Sequence, residues 1–452
     1  MTRALPEITS QERKRAAFAV AAGTTIEYFD WTIYATLAVY FAPLIFEDQD
    51  PTSALLQAAG IFAAGYLLRP LGAVLFGKIS DRLGRKPSLT LSVAAMTLGT
   101  LLIAVTPTYA MVGVWASVLL LIARTLQGLA YGGEFGTVAA TLREVAPPER
   151  RGRYSSLFMV ASAAGQGLGF LVLLILQSSL SPEQMNSYGW RLPFILAVVG
   201  AVVVLYLRRQ MVESPVFLAA EASKPKDRGQ LRELLTRHRT AVMLCFFAVA
   251  LTVPAMLTFT SYMQKMAVTS MDIPPRSVSL ALLAVLTVYG LASWLWGRVS
   301  DHLGPSTALA AGFTATAALV LPAYFLVINS GTAVAVTVAS SAVAIAVSLS
   351  GAVQQTVFAA LFPPHLRALG VGLSHALALA LVGGTTEVVA LSFAKANNVT
   401  TYFILLTVVT AAGATIGFAI RSRLSRTEIL PIEKLSSTDP SRHEAQDAES
   451  AG

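Results

Sequence analysis

Along this chain, long apolar runs alternate with short polar breaks. Each run approaches or exceeds the roughly 20 residues that a helix needs to cross a bilayer. Six come first: Ala16–Phe46, Ser53–Gly77, Ser88–Thr106, Ala110–Arg143, Tyr154–Leu180 and Trp190–Leu207. A polar stretch, Arg208–Thr240, then interrupts the pattern. Six more follow: Ala241–Gln264, Ser277–Trp296, Thr307–Val327, Thr332–Leu361, Leu369–Ala394 and Thr401–Ile420. The pattern predicts an all-α integral membrane protein with twelve transmembrane helices in two six-helix bundles. The N-terminal bundle covers residues 1–207, a cytoplasmic linker 208–240, the C-terminal bundle 241–421 and a polar, disordered tail 422–452.

Composition agrees: 55% of the 452 residues are hydrophobic and 13% charged, against about 25% charged in a soluble domain. One cysteine, Cys245, excludes an internal disulfide or a cysteine metal cluster. The formal charge of +8 suggests nucleic acid until the basic residues are placed. With both termini cytoplasmic, 27 of the 33 Lys and Arg fall on the cytoplasmic side. Arg191, Lys265, Arg276 and Lys395 fall outside, Arg69 and Arg124 lie within helices, and the first outer loop reads EDQD. This asymmetry orients the chain and accounts for its charge without nucleic acid. Arg13, Lys14 and Arg15 precede an apolar run, but Glu27 and Asp30 interrupt it, so it reads as a retained helix and not a cleaved signal.

The two halves repeat. Residues 77–86 read GKISDRLGRK and residues 297–304 read GRVSDHLG, so Gly77, Asp81 and Gly84 match Gly297, Asp301 and Gly304 at an offset of 220. Two homologous bundles with a substrate site between them are the architecture of a secondary transporter.

Charges at membrane depth are costly and mark function. Glu27 and Asp30 share a helix face that Tyr34 continues. Glu27 lies about 16 Å beyond Ala16, near the midplane. Arg124 is the expected counter-charge, and Gln127 and Tyr131 follow it at helical spacing to line one cavity wall. An arginine there either pairs with Glu27 or Asp30, or grips a substrate carboxylate with two prongs. A permanent structural ion pair is the competing reading. Glu134 lies too far along the helix to pair with Arg124, and Arg69 is its expected partner, in a gating or a packing pair. In the second half, His375 and Glu387 interrupt the eleventh run, His375 as a packed residue or a proton relay. Gln354 and Gln355 serve either as neutral donors or as interhelical glue. The sequence has no metal-ligand spacing, no GxxxxGK[ST] loop and no nucleophile triad, so neither an enzyme nor a cofactor is expected.

The GKISDRLGRK loop resembles the helix 2–3 signature of the major facilitator superfamily. IEYFDWTIY, RPLGAVLFGKISDRLGRK, RTLQGLAYGGEFG, APPERRGRYSS, YGWRLPF, ESPVF and LFPPHLRALGVGLSHALALALVGGT are similar to its metabolite:proton symporter branch. Members of that branch carry 2-oxoglutarate, citrate, shikimate, other carboxylates, or proline and betaine. The resemblance implies that Asp81 and Arg85 latch the inner gate and that Arg124, in RxxQG, takes part in proton coupling. Glu387 stands where the branch usually has a proline, and Ala360 replaces an acid before LFP. No PETKG-like motif or tail coiled coil follows.

The expected function is proton-coupled import of a small organic acid by alternating access, in a bacterial inner (plasma) membrane. Arg124 attracts the anion, and Glu27 or Asp30 takes the proton. The alternatives are symport of betaine or proline on Tyr28, Phe29 and Trp31, proton-driven drug efflux, and a nontransporting sensor. The expected partners are the small-molecule substrate, protons and the lipid bilayer, and the expected unit is a monomer.

Overall fold

The computed structural model describes residues 9–47, 51–214, 217–218, 230–383 and 385–428. Most of the outer-loop acids, the centre of the linker (Lys224 to Gly229), Gly384 and the end of the tail lie outside the described residues. The described residues form helices and connecting turns, with no strand. The first half contains α1 (Ser10–Ile45), α2 (Pro51–Leu83), α3 (Arg85–Val105), α4 (Trp115–Val145), α5 (Arg151–Ser179) and α6 (Leu192–Arg209). The second contains α7 (Arg239–Leu257), α8 (Pro275–Leu303), α9 (Pro305–Ser330), α10 (Ala333–Ala360), α11 (Arg367–Val382) and α12 (Val399–Glu428).

By length and composition alone, ten of these twelve can cross a membrane. The other two are α1 and α4, which are long enough, at 36 and 31 residues, but carry Glu27, Asp30, Arg124 and Gln127. The chemistry that lowers their hydropathy is what sets them apart.

Three runs differ in detail from the apolar pattern. The fourth helix starts at Trp115 and not Ala110, because Gly113 at φ 60° ends a separate turn, Tyr109–Val112. In α7, Pro254 removes a backbone donor, and a π-helical turn, Thr258–Tyr262, leads into Met263–Ser270. The eleventh run is described as Arg367–Val382 and Thr385–Lys395, and Gly383 between them keeps helical backbone angles and donates to the Leu379 carbonyl.

Two independent packing units form at one end of the molecule and one shared unit at the other. Near the GKISDRLGRK loop, Phe135, Leu142 and Phe158 of the first half share one apolar core with Val285, Val357 and Leu369 of the second. Away from that loop the core divides. Phe41, Trp190 and Phe194 pack within the first half, and Phe259, Tyr324 and Phe403 within the second. The halves are therefore joined at the loop end, and the intramembrane charges find their partners within the first half.

Candidate transport site

Four side chains from three helices form one polar chain. Thr100 Oγ1 of α3 donates to Asp30 Oδ1 at 2.8 Å, and Gln127 Nε2 of α4 donates to Asp30 Oδ2 at 2.7 Å. Gln127 Oε1 accepts from Arg124 Nη1 at 2.7 Å. The Arg124 guanidinium lies over the Tyr34 ring, 3.3 Å from its centre, while the Tyr34 hydroxyl donates to the Ala58 carbonyl at 3.1 Å. The expected direct contact between Arg124 and an acid is replaced by a bridge. Gln127 sits one turn further on the same face, and its amide offers an acceptor to the arginine and a donor to the carboxylate.

Glu27 has different surroundings from Asp30. The charges that face it are Glu134, Arg208, Arg69 and Asp30. Its Oε2 is buried and makes no hydrogen bond among the described residues. A lone buried carboxylate oxygen is expensive unless it takes a proton or a partner.

Glu134 pairs with Arg208, not with Arg69 as the sequence suggested. Arg208 Nη2 donates to Glu134 Oε1, Arg208 Nη1 donates to the Leu89 carbonyl, and Ser92 Oγ donates to Glu134 Oε2 at 3.2 Å. Arg208 is thus no linker charge. It ends the buried stripe of α6, in phase with Ala197, Ala201 and Val204, whereas Arg209 beside it is exposed.

Arg69 instead occupies an aromatic box. Its guanidinium carbon lies 3.6 Å from the centre of the Tyr66 ring, 3.7 Å from Tyr131 and 4.4 Å from Trp31. The residue is 2% exposed, and its Nε is buried without a hydrogen-bond partner among the described residues. A cation on an aromatic face gains about 0.5–2 kcal/mol, whereas burying a charge costs several kcal/mol. The rings hold Arg69 in place without neutralising it. Gly132 allows this placement, because a Cβ there would stand 1.9 Å from the Arg69 carbonyl oxygen. Arg69 and Arg124 both approach Trp31, 4.4 and 5.1 Å from the centre of its ring.

The wall from Arg124 through Tyr131 is divided between these two environments. Gln127 serves Asp30, and Tyr131 covers Arg69 while its hydroxyl meets that of Tyr28 at 3.2 Å. Below, Phe135 of α4 stacks on His375 of α11 with ring centres 3.4 Å apart, and the charge facing His375 is Arg69. His375 is a packed residue at the junction of the halves. At the repeat position of Arg69 stands Tyr289, whose hydroxyl donates to Met159 Sδ at 3.0 Å. Tyr289, Met256, Phe259, Leu286 and Val347 line a largely apolar pocket in the second half. Gln355 of α10 is buried with neither amide atom bonded among the described residues. Glu387 lies half-buried in the first turn of Thr385–Lys395.

The predicted gate residues come together at the loop end. Asp81 accepts from the backbone of Leu369 at 2.9 Å and of Ala368 at 3.3 Å, at the start of α11, where a helix favours negative charge. Arg85 donates to Asp81 at 2.6 Å, to both oxygens of Glu144 at 2.9 and 3.1 Å, and to the Pro364 carbonyl at 2.8 Å. Arg367 reaches Glu144 from the other half at 2.8 Å. The repeat supplies a second such contact, in which Asp301 accepts from Gly152 N, at the start of α5, at 2.7 Å. Arg153 Nε lies 2.9 Å from Asp301. Each half therefore caps a helix of the other.

Sequence reading passed over Arg208, Thr100, Glu144 and Arg367. The phase of the α6 stripe was available for Arg208. Thr100 has no such signal, because a threonine in an apolar helix ordinarily bonds its own backbone, as Thr97 does at 2.6 Å.

Two bundles with opposed intramembrane charges and reciprocal helix-capping contacts have the architecture of a secondary transporter. A model of the Major Facilitator Superfamily matches residues 20–385, and the chain belongs to that superfamily. It is 37% identical over 423 residues to an alpha-ketoglutarate permease of Escherichia coli (strain K12), covering 93% of this chain and 96% of the relative. It is 31% identical over 381 residues to an ectoine/proline transporter of Corynebacterium glutamicum, covering 81% and 75%. Among solved structures it is similar to the proton:xylose symporter XylE, with a TM-score of 0.76 at 17% identity, over 91% of this chain and 96% of that one. That last likeness shows the fold alone. The protein is a multi-pass membrane transporter and not an enzyme.

Proposed function

We propose that this transporter imports a small organic anion, a carboxylate, together with protons by alternating access, from a membrane in which both its termini are cytoplasmic. The observation that carries the reading is the pair of guanidiniums that approach Trp31. Neither Arg69 nor Arg124 touches a carboxylate among the described residues, so two buried guanidiniums keep donors that an anion can take. The similarity to an alpha-ketoglutarate permease points the same way. Glu27 is the better proton site, since Asp30 already accepts from two donors and Glu27 Oε2 from none. Asp30, with Gln127 and Arg124, is the element that answers to the change of state, and Asp81 with Arg85 closes the inner gate.

The test is substrate-induced proton movement in sealed proteoliposomes, with labelled uptake followed in parallel. The substrates are 2-oxoglutarate, other carboxylates, betaine, proline and sugars. External alkalinisation with a carboxylate, lost in Glu27→Gln, is expected. A response confined to betaine or proline would reassign the substrate, and export without import would reverse the direction.

A further inference from the structure

We propose that Arg69, and not Arg124, receives the anionic group of the substrate, and that the rings around it turn the site against cations. This inference rests on the organic-anion reading above and names the residue that performs it. Other buried arginines of the first half each have a fixed polar partner. Arg85 has Asp81 and Glu144, Arg208 has Glu134, and Arg124 has, through Nη1, Gln127, itself bound to Asp30. The Nε and Nη2 of Arg124 have no hydrogen-bond partner among the described residues. Arg69 is as deeply buried as these, yet among the described residues it has only aromatic faces.

Three rings fix the orientation of the guanidinium and leave its donors uncommitted, which is how a pre-oriented receptor for a planar carboxylate is built. Its backbone is held by the close approach of Gly132. Its place is also right for a transport site, since it faces Glu27 of the first half and His375 of the second.

The same rings decide what is refused. A quaternary ammonium group binds by covering aromatic faces. Here Tyr66 and Tyr131 are covered by Arg69, Tyr34 by Arg124, and Trp31 is approached by both. Of the three rings on which betaine would be expected, Tyr28, Phe29 and Trp31, the chain's own cations already approach Trp31. An anion on Arg69 also cancels positive charge facing Glu27, whose remaining charged neighbours are Glu134, Arg208 and Asp30. Anion and proton loading then favour each other, as linkage requires.

The experiment is equilibrium binding of 2-oxoglutarate and of glycine betaine to the purified full chain in nanodiscs, by calorimetry and by tryptophan emission. Wild type, Arg69→Lys and Arg69→Gln are compared, each checked for a monodisperse, cooperative thermal transition. Wild type is expected to bind 2-oxoglutarate and not betaine, with an emission change from Trp31 that Trp31→Phe removes. Arg69→Lys keeps the charge but loses the planar fork, and at least a tenfold weaker Kd is expected. Arg69→Gln is expected to show no binding. Wild-type affinity in both folded Arg69 variants overturns this assignment and leaves the organic-anion reading standing. Betaine binding by wild type with no carboxylate binding overturns both. If Arg69→Gln does not fold, Arg69→Lys alone decides.

Discussion

Arg208 and Glu134 form an ion pair closed to solvent on both sides, joining the last turn of α6 to the middle of α4. The Leu89 carbonyl and the Ser92 hydroxyl complete it, so α3 is bound into the same knot. Removing one partner leaves the other charge buried alone, at a cost of about 3–5 kcal/mol. Glu134→Gln and Arg208→Gln are each expected to lower the thermal transition in detergent markedly. The double variant should recover part of the loss. Single variants melting with wild type would show that the pair is dispensable.

Asp81 and Asp301 occupy equivalent repeat positions but are unequally committed. Asp81 holds two backbone donors and the buried Arg85, whereas the Arg153 that faces Asp301 is 40% exposed. A hydrogen bond to a charged group contributes about 1.5–3 kcal/mol, roughly tenfold to hundredfold in a two-state population. Asp81→Asn should therefore open the loop end more than Asp301→Asn. Spin labels at Leu83→Cys and Leu303→Cys, with the buried Cys245 replaced, report the separation as a distance distribution. A larger shift from Asp301→Asn would reverse the ranking.

Gln127 is the link between Arg124 and Asp30. Gln127→Leu removes its bonds to Arg124, Asp30 and Thr100 and leaves a buried donor on Arg124 and an acceptor on Asp30, each costing about 1–3 kcal/mol. Concentrative uptake driven by a proton gradient should fall at least tenfold, and more steeply than exchange of labelled for unlabelled substrate. Equal loss of both would assign Gln127 to substrate binding instead.

Gly132 carries the approach of α2 to α4. Gly132→Val places atoms against the Arg69 carbonyl and is expected to cost about 1–3 kcal/mol through overpacking. Uptake should fall more than the thermal transition alone explains, because Arg69 is displaced. Uptake tracking stability alone would separate the glycine from the site.

Much of this was legible from residue order. Apolar run lengths gave twelve helices, the GKISDRLGRK repeat gave two halves, and depth marked Glu27, Asp30 and Arg124 as special. Pairing was not legible, for a geometric reason. Helical phase says which residues share a face of one helix, but not which face of a second helix meets it. Glu134 found Arg208 because α6 turns its Ala197–Ala201–Val204 stripe toward α3 and α1, and that partner lies 74 positions away. The Gln127 bridge was hidden for another reason. An amide bears no charge, so a search for opposite charges passes over the group that joins them.

The apolar core that unites the halves at the loop end gives the transport cycle a thermal signature. Opening that end must expose Phe135, Leu142 and their partners across the junction as well as break the polar latch. Newly hydrated apolar surface raises the heat capacity, and the burial that opposes opening weakens on cooling. Under the proposed alternating access, the balance between the two facing states is expected to drift with temperature along a curve rather than a straight van't Hoff line, with cold favouring the form open at the loop end.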